Sequence, residues 1–141
     1  MKVPDSIRLL IESGCPAHMV TLNKDGSPQV TVVWIGVDGD DVVSGHLMEN
    51  RKVRNLRRDP RVAISLEAQT KSAMGLTEYA VLYGTARIEE GGAAALLQRL
   101  AYVYMGPGVK FPPMPDPPAG FTTRIRVDRI EGVGPWTGRP V

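Results

Sequence analysis

The sequence predicts a mainly β, α+β domain: a six-stranded antiparallel barrel with three short helices flanking it. Two observations carry that expectation. Six strand-like segments alternate or run in β-branched residues along the 141-residue chain, with no internal repeat and no second domain. Consecutive strands are joined by turns too short for a parallel crossover, so neighbours must pair antiparallel. A barrel with helices at its ends is the natural closure for such a set, and the whole chain, 1–141, is read as one domain.

Asp5 or Ser6 can cap a first helix in which Ile7, Leu10 and Ile11 share a face, with Gly14 ending it and Pro16 preventing continuation. From Ala17 the period changes: Ala17 to Leu22 reads as a strand, and Asn23-Lys24-Asp25-Gly26 as a hairpin turn. The next strand, Gln29 to Val37, is nearly all apolar or β-branched, which predicts cover on both faces. Asp38-Gly39 turns into a strand from Asp41 to Gly45. After a basic helix, Arg61 to Glu67 alternates as a half-buried strand should, and 68–75 is polar and turn-like. Leu76 to Ile88 is a long strand in which Gly84 marks a bulge or a close backbone approach. Gly91-Gly92 breaks it before an Ala- and Leu-rich helix from Ala93 to Met105. A proline-dense loop spans Pro107 to Pro118, and Phe121 to Val133 returns as the last strand.

Basic charge is concentrated in the segment from Asn50 to Arg61. It holds six of the seventeen Lys and Arg residues and one acid, a local +5 in a chain whose total is only +2. Asn50 is a good N-cap, Val53 and Leu56 share one helical face, and Pro60 disfavours helix at Asp59. Arg51 and Lys52 then fall in the first turn, where the helix dipole ordinarily favours acids. A phosphate docked on the unbonded first-turn amides resolves that inversion, because it satisfies the dipole and both cations. The competing expectation is a solvated basic face.

Composition excludes several classes. No apolar run approaches the ~20 residues of a membrane span, and the amphipathic opening does not resemble a signal peptide, so a cytoplasmic protein is expected. One cysteine, Cys15, and two histidines are too few for a disulfide or an all-protein zinc site, so no metal is expected. Aromatic residues are not interleaved with the basic run, which argues against nucleic acid.

The order of elements, together with three motifs, resembles a known superfamily. The motifs are Val20-Thr21-Leu22 through Asp25-Gly26-Ser27-Pro28-Gln29-Val30, then Arg51-Lys52-Val53-Arg54-Asn55-Leu56 with Asp59-Pro60-Arg61-Val62, and Gly132-Val133-Gly134-Pro135-Trp136. They resemble the split-barrel flavin-binding superfamily of pyridoxamine 5'-phosphate oxidase, and within it the flavin/deazaflavin oxidoreductases described as probable coenzyme F420-dependent enzymes. The resemblance implies a homodimer holding its cofactor in a groove between two barrels. It implies a phosphate clamp at Arg51, Lys52 and Arg54, assisted by Asn55. It also implies that the strand residues Gln29, Val30, Thr31 and Val32 lie along the cofactor ring. The segment Gly45-His46-Leu47-Met48-Glu49 departs from the Ser-Arg-Lys run of the oxidase proper, which speaks against pyridoxamine phosphate as substrate.

Three functions are carried forward. The first is F420-dependent hydride transfer to an electron-poor small molecule such as an enone or quinone. The second is an FMN-dependent oxidoreductase on the same fold, and the third a non-catalytic F420-binding or storage protein. F420 carries a phosphodiester and a polyglutamate tail, so it needs a longer cationic track than FMN, which Arg57, Arg58 and Arg61 could supply. His46 is read as an exposed loop histidine, Trp34 as core, and the Cys15–His18 pair as packing. Trp136, on a Gly-Pro tether with little local core, is assigned to a cofactor lid or dimer interface. No catalytic acid is assigned.

Overall fold

The structure is a computed structural model that describes residues 1–137. In chain order its elements are α1 (Asp5–Glu12), β1 (Ala17–Leu22), β2 (Pro28–Val33), β3 (Gly36–Asp38), β4 (Asp41–His46), α2 (Arg51–Arg58), β5 (Arg61–Lys71), β6 (Thr77–Glu90), α3 (Ala93–Tyr104) and β7 (Phe121–Val133), then a 3₁₀ turn at Pro135–Thr137. The strands form one sheet in the order β2-β1-β5-β6-β7-β4-β3, with every neighbouring pair antiparallel. Its two edge strands, β2 and β3, are separated in sequence by Trp34 and Ile35 alone. That connection spans about 11 Å at most, so the sheet curls until its edges nearly meet. The antiparallel barrel expected from the tight turns is present, split along that seam.

The described residues contain seven strands rather than six, because the segment Gln29 to Val37 is two strands and not one. The break has a cause in the side chains packed around it. The Tyr104 hydroxyl accepts from the Ile35 N–H at 3.2 Å and donates to its carbonyl at 3.4 Å, while Ser44 Oγ donates to the Trp34 carbonyl at 2.9 Å. Side chains thus satisfy backbone groups that a continuous strand would pair, and the chain is released to cross the seam. β5 also runs four residues beyond its expected end, to Lys71, before a turn in which Ser72 N–H bonds the Leu76 carbonyl.

Ile7, Leu10 and Ile11 of α1 insert into one end of the barrel, against a core that includes Met19, Ile35, Ile64, Leu66, Leu82 and Ile125. α1 starts without a side-chain cap: Pro4 precedes it, and Asp5 lies in the first turn, where its charge favours the dipole. α3 packs on β4, and Gly45 permits the approach. A Cβ there would stand 3.2 Å from the Leu97 side chain and 3.3 Å from the Ala93 carbonyl. Gly84 is the expected bulge: the β6–β7 register shifts between Tyr83 and Gly84, and a Cβ would lie 2.5 Å from the Arg126 carbonyl.

The outward face of β2-β1-β5-β6 carries one apolar row, Val30, Val20, Ala63 and Tyr83, beside a mixed one, Val32, His18, Ser65 and Val81. Val30 is 58% and Val32 66% exposed, so the expected cover on both faces of β2 does not come from this chain. The patch ends at β7, where Arg126–Asp128 and Arg129–Glu131 ion pairs begin.

Candidate functional site

The expected cap of α2 is present. Asn50 is extended, its side-chain oxygen accepts the Val53 N–H at 3.2 Å, and its carbonyl takes the Arg54 N–H at 3.1 Å. The amides of Arg51 and Lys52 are the donors that helix geometry leaves unbonded at an N-terminus. Val53 and Leu56 are fully buried and hold the helix against the barrel.

Successive helical residues point about 100° apart, and this divides the basic run between two clefts. Arg51, Arg54 and Arg58 fall on one stripe and line a cleft of about 510 Å³, whose opposite wall is the β1–β2 hairpin with Asn23, Lys24, Asp25 and Ser27. Lys52 turns the other way into a cleft of about 280 Å³ shared with Val32, Trp34, His46, Asn50 and Phe111. The first turn of α2 stands between them. Arg51 and Lys52 have no hydrogen bond or ion pair from their side chains among the described residues. Burial without a counter-charge pushes the Lys52 ammonium below the usual lysine range.

The other cations are committed elsewhere. Arg54 donates to the Glu49 carbonyl at 2.7 Å. Arg57 pairs with Glu49 at 3.5 Å and lies over the Phe121 ring, and Arg58 donates to the Leu22 carbonyl and to Asn55 Oδ1. Arg61 forms a 2.7 Å ion pair with Asp59. Of the track expected from Arg57, Arg58 and Arg61, only Arg58 is among the residues lining the larger cleft. The hairpin's Lys24 faces Arg51 and Arg54 across the larger cleft instead.

Asn55 proves to be a tie between elements. Its amide nitrogen lies 3.0 Å from Thr21 Oγ1, 3.0 Å from Asn23 Oδ1 and 3.4 Å from Gln29 Oε1, and it is buried. It fixes α2 against the hairpin, so it shapes the larger cleft from beneath. Gln29 is held in the same network, accepting from Thr21 Oγ1 at 3.1 Å. Along β2, Val30 and Val32 face outward and Thr31 faces in, opposite buried Met19. Thr31 Oγ1 is buried with no hydrogen-bond partner among the described residues. β2 is an edge strand, so one row of its backbone groups has no strand partner.

Trp136 does not join these residues within one chain. Its indole N–H donates to the Tyr79 carbonyl at 3.0 Å, and its ring packs on the core beside Gly134. Ala86, whose N–H bonds the Pro60 carbonyl just past α2, is seven residues further along β6. At ~3.4 Å per residue that is more than 20 Å away.

Three features were not anticipated. His46 is buried, not exposed, because β4 extends one residue to include it, and its Nε2 lies 2.8 Å from Thr123 Oγ1 on β7. Phe111, inside the proline-dense loop, walls the smaller cleft, and the hairpin walls the larger one. The packing expected of Cys15 and His18 holds for Cys15 alone, which is buried with its thiol donating to the Leu10 carbonyl, while His18 is exposed.

His46 also yields a stability prediction. Burial first, and the Lys52 charge second, push its imidazole down to about 4 from 6.5. Below pH 6.5 the unfolded chain binds a proton that the folded chain refuses until about pH 4, so stability falls as pH drops through that window and is flat above it. The expected loss is about 3 kcal/mol at ~1.4 kcal/mol per unit. Asp59, held near 2 by its bonds to Arg61, titrates below this range. Urea melts at pH 7 and 4.5 should differ for the wild type and converge for His46→Gln; equal slopes in both proteins contradict the assignment.

A curled antiparallel sheet thus carries unpaired cations at a helix start, beside an open edge strand, in two clefts whose charge suits an anionic ligand. The chain belongs to the pyridoxamine 5'-phosphate oxidase family, whose model matches residues 3–134. Among solved structures it is similar to an F420 reductase, at 25% identity over 92% of this chain and 98% of that one, with a TM-score of 0.73. A conserved hypothetical protein of Mycobacterium tuberculosis aligns at 25% identity over 100% of this chain and 91% of that one, TM-score 0.74. An FMN-binding protein of Syntrophomonas wolfei shares the fold at 11% identity, over 92% and 85% of the two chains, TM-score 0.66. No curated protein matches the sequence. Among the described residues no helix is long and apolar enough to cross a membrane, and no group of three or more His, Cys, Asp or Glu could hold a metal ion.

Proposed function

We propose that this chain is a cytoplasmic, homodimeric F420-dependent oxidoreductase that reduces electron-poor small molecules such as enones or quinones. One observation carries the choice of cofactor: the basic helix start serves two adjoining clefts rather than one. A ligand with a single phosphate needs only the first turn and Lys52. A ligand with a phosphodiester and a string of carboxylates uses the Arg51–Arg54–Lys24 side as well. The similarity to an F420 reductase supports the same reading.

The residues present fit such a group. Arg51 and Lys52 bring two unpaired cations to unbonded amides, and the edge strand β2 offers a row of backbone groups without a strand partner. When bound, the reduced deazaflavin would supply a hydride to an acceptor carbon, with a proton from solvent completing the two-electron reduction. The chain's own part is to hold the phosphate, align the ring along β2 and exclude water. The exposure of Val30 and Val32, beside the apolar row Val20, Ala63 and Tyr83, supports a second copy as their cover. Such a dimer could also bring a partner's Trp136 to the groove.

FMN remains the second reading, supported by the shared fold of an FMN-binding protein and by Lys52's separate cleft. The deciding experiment is a fluorescence titration of the protein with F420 and with FMN, with sedimentation run alongside. Saturable micromolar F420 binding by a dimer is expected. Preference for FMN would overturn the cofactor assignment, and a monomer would overturn the groove. F420 binding without oxidation of the reduced cofactor by any acceptor would point to a storage protein.

A further inference from the structure

We propose that the cleft walled by the touching rings of Trp34 and Phe111 is a stacking subsite for the electron acceptor, and that it selects planar conjugated molecules of one or two fused rings. The proposal deepens the oxidoreductase reading and rests on it for the role of the ligand. Its grounds lie in how the two rings are held. Trp34 is stacked on Tyr104 with centroids 5.4 Å apart and planes 9° from parallel, and Tyr104 does not line the cleft. Trp34 is thereby braced from behind. Phe111 meets Trp34 at 5.1 Å and 59°, so the two rings touch and together form one inclined aromatic wall of the cleft.

The position of Phe111 is built, although its loop is irregular. Gln98 on α3 accepts the Phe111 N–H at 3.0 Å and donates to the Val109 carbonyl at 2.8 Å. This two-point clamp fixes the stretch carrying Phe111, and Pro112 beside it is buried. An inert surface turn needs no such anchor. Ordering an aromatic ring in advance lowers the entropy lost when a flat ligand binds.

Chemistry and size narrow the occupant. Val32 belongs both to the strand proposed to carry the cofactor ring and to the cleft wall, so an occupant lies beside the end of that strip. No carboxylate lines the cleft, so a cationic acceptor finds no counter-charge, whereas a neutral carbonyl compound needs none. A volume of about 280 Å³ is at the lower limit of small-molecule sites, which admits one or two rings.

The test uses two conjugated carbonyl compounds of different shape, flat 1,4-naphthoquinone and puckered 2-cyclohexenone. With Trp136→Phe, Trp34 is the remaining tryptophan, so its fluorescence reports the cleft with no cofactor present. Naphthoquinone is expected to quench it saturably, and cyclohexenone to leave it unchanged. Phe111→Leu, which keeps apolar bulk and drops the ring, should weaken naphthoquinone about tenfold, and Phe111→Tyr should restore it. In turnover with reduced F420, Phe111→Leu should raise KM for naphthoquinone by a similar factor, with a smaller effect on kcat. Unsaturable quenching, or wild-type affinity in Phe111→Leu, overturns the subsite. Failure of F420 to bind would instead overturn the function, with the quenching result still deciding the subsite.

Discussion

Asn55→Leu is expected to lower the unfolding free energy by about 4 kcal/mol, although leucine is a strong helix former of similar size. The loss follows from what the amide does. It donates toward Thr21, Asn23 and Gln29, and its oxygen accepts from Arg58 at 3.2 Å. Leucine removes every one of these bonds and leaves Thr21 Oγ1 and Asn23 Oδ1 without that donor beneath the hairpin. Stranding buried Thr21 Oγ1 costs roughly 1–3 kcal/mol, and the lost bonds to half-buried Asn23 and to Arg58 about 1 kcal/mol each. For a chain of this length the melting temperature should fall by roughly 10 °C. Asn55→Asp should be damaging too, since a carboxylate cannot donate to three acceptors. Denaturant and thermal melts of both variants decide it. A loss under about 1 kcal/mol, on the scale of a peripheral bond, would return Asn55 to the ligand-facing role that its place in the basic motif suggests.

Asn55 also shows where sequence reasoning stops. Its helix was legible: an Asn cap, a Val53–Leu56 face and a terminating proline are local signals, and all are present in the structure. The barrel was legible because tight turns force antiparallel neighbours. The break at Trp34–Ile35 was not, because the group that satisfies Ile35 is the Tyr104 hydroxyl, 69 residues away. His46 was misplaced for the same reason. Its burial depends on Thr123, 77 residues distant, across a strand pairing that no local pattern reveals. The two-cleft arrangement, by contrast, had a readable signal. Arg51, Arg54 and Arg58 fall at i, i+3 and i+7, while Lys52 lies off that stripe. Treating the cluster as one patch hid the division. Trp136 was judged to have little local core because the tether's fold-back onto Tyr79 depends on the β6–β7 pairing.

That division predicts how charge removal should sort the cofactors. The combined Arg51→Ala, Lys52→Ala, Arg54→Ala protein is expected to lose at least a thousandfold in F420 affinity, or about 4 kcal/mol. Lys52→Ala alone should cost both F420 and FMN roughly 1.5–3 kcal/mol, the scale of a hydrogen bond to a charged group. Lys24→Ala with Arg54→Ala touches only the larger cleft, so it should weaken F420 about tenfold and leave FMN nearly unchanged. F420 stripped of its glutamates should behave like FMN in that variant. Salt should weaken the long-tailed ligand more steeply, because the larger cleft is open and screened. The pH dependence follows from Lys52. Burial lowers its pKa, so cofactor affinity should decline on the alkaline side at a lower pH than an exposed lysine would allow, and Lys52→Arg should move that decline upward. Equal losses of F420 and FMN in the Lys24→Ala, Arg54→Ala protein would mean that the larger cleft shapes the protein without binding a tail. The case for the deazaflavin would then rest on similarity alone.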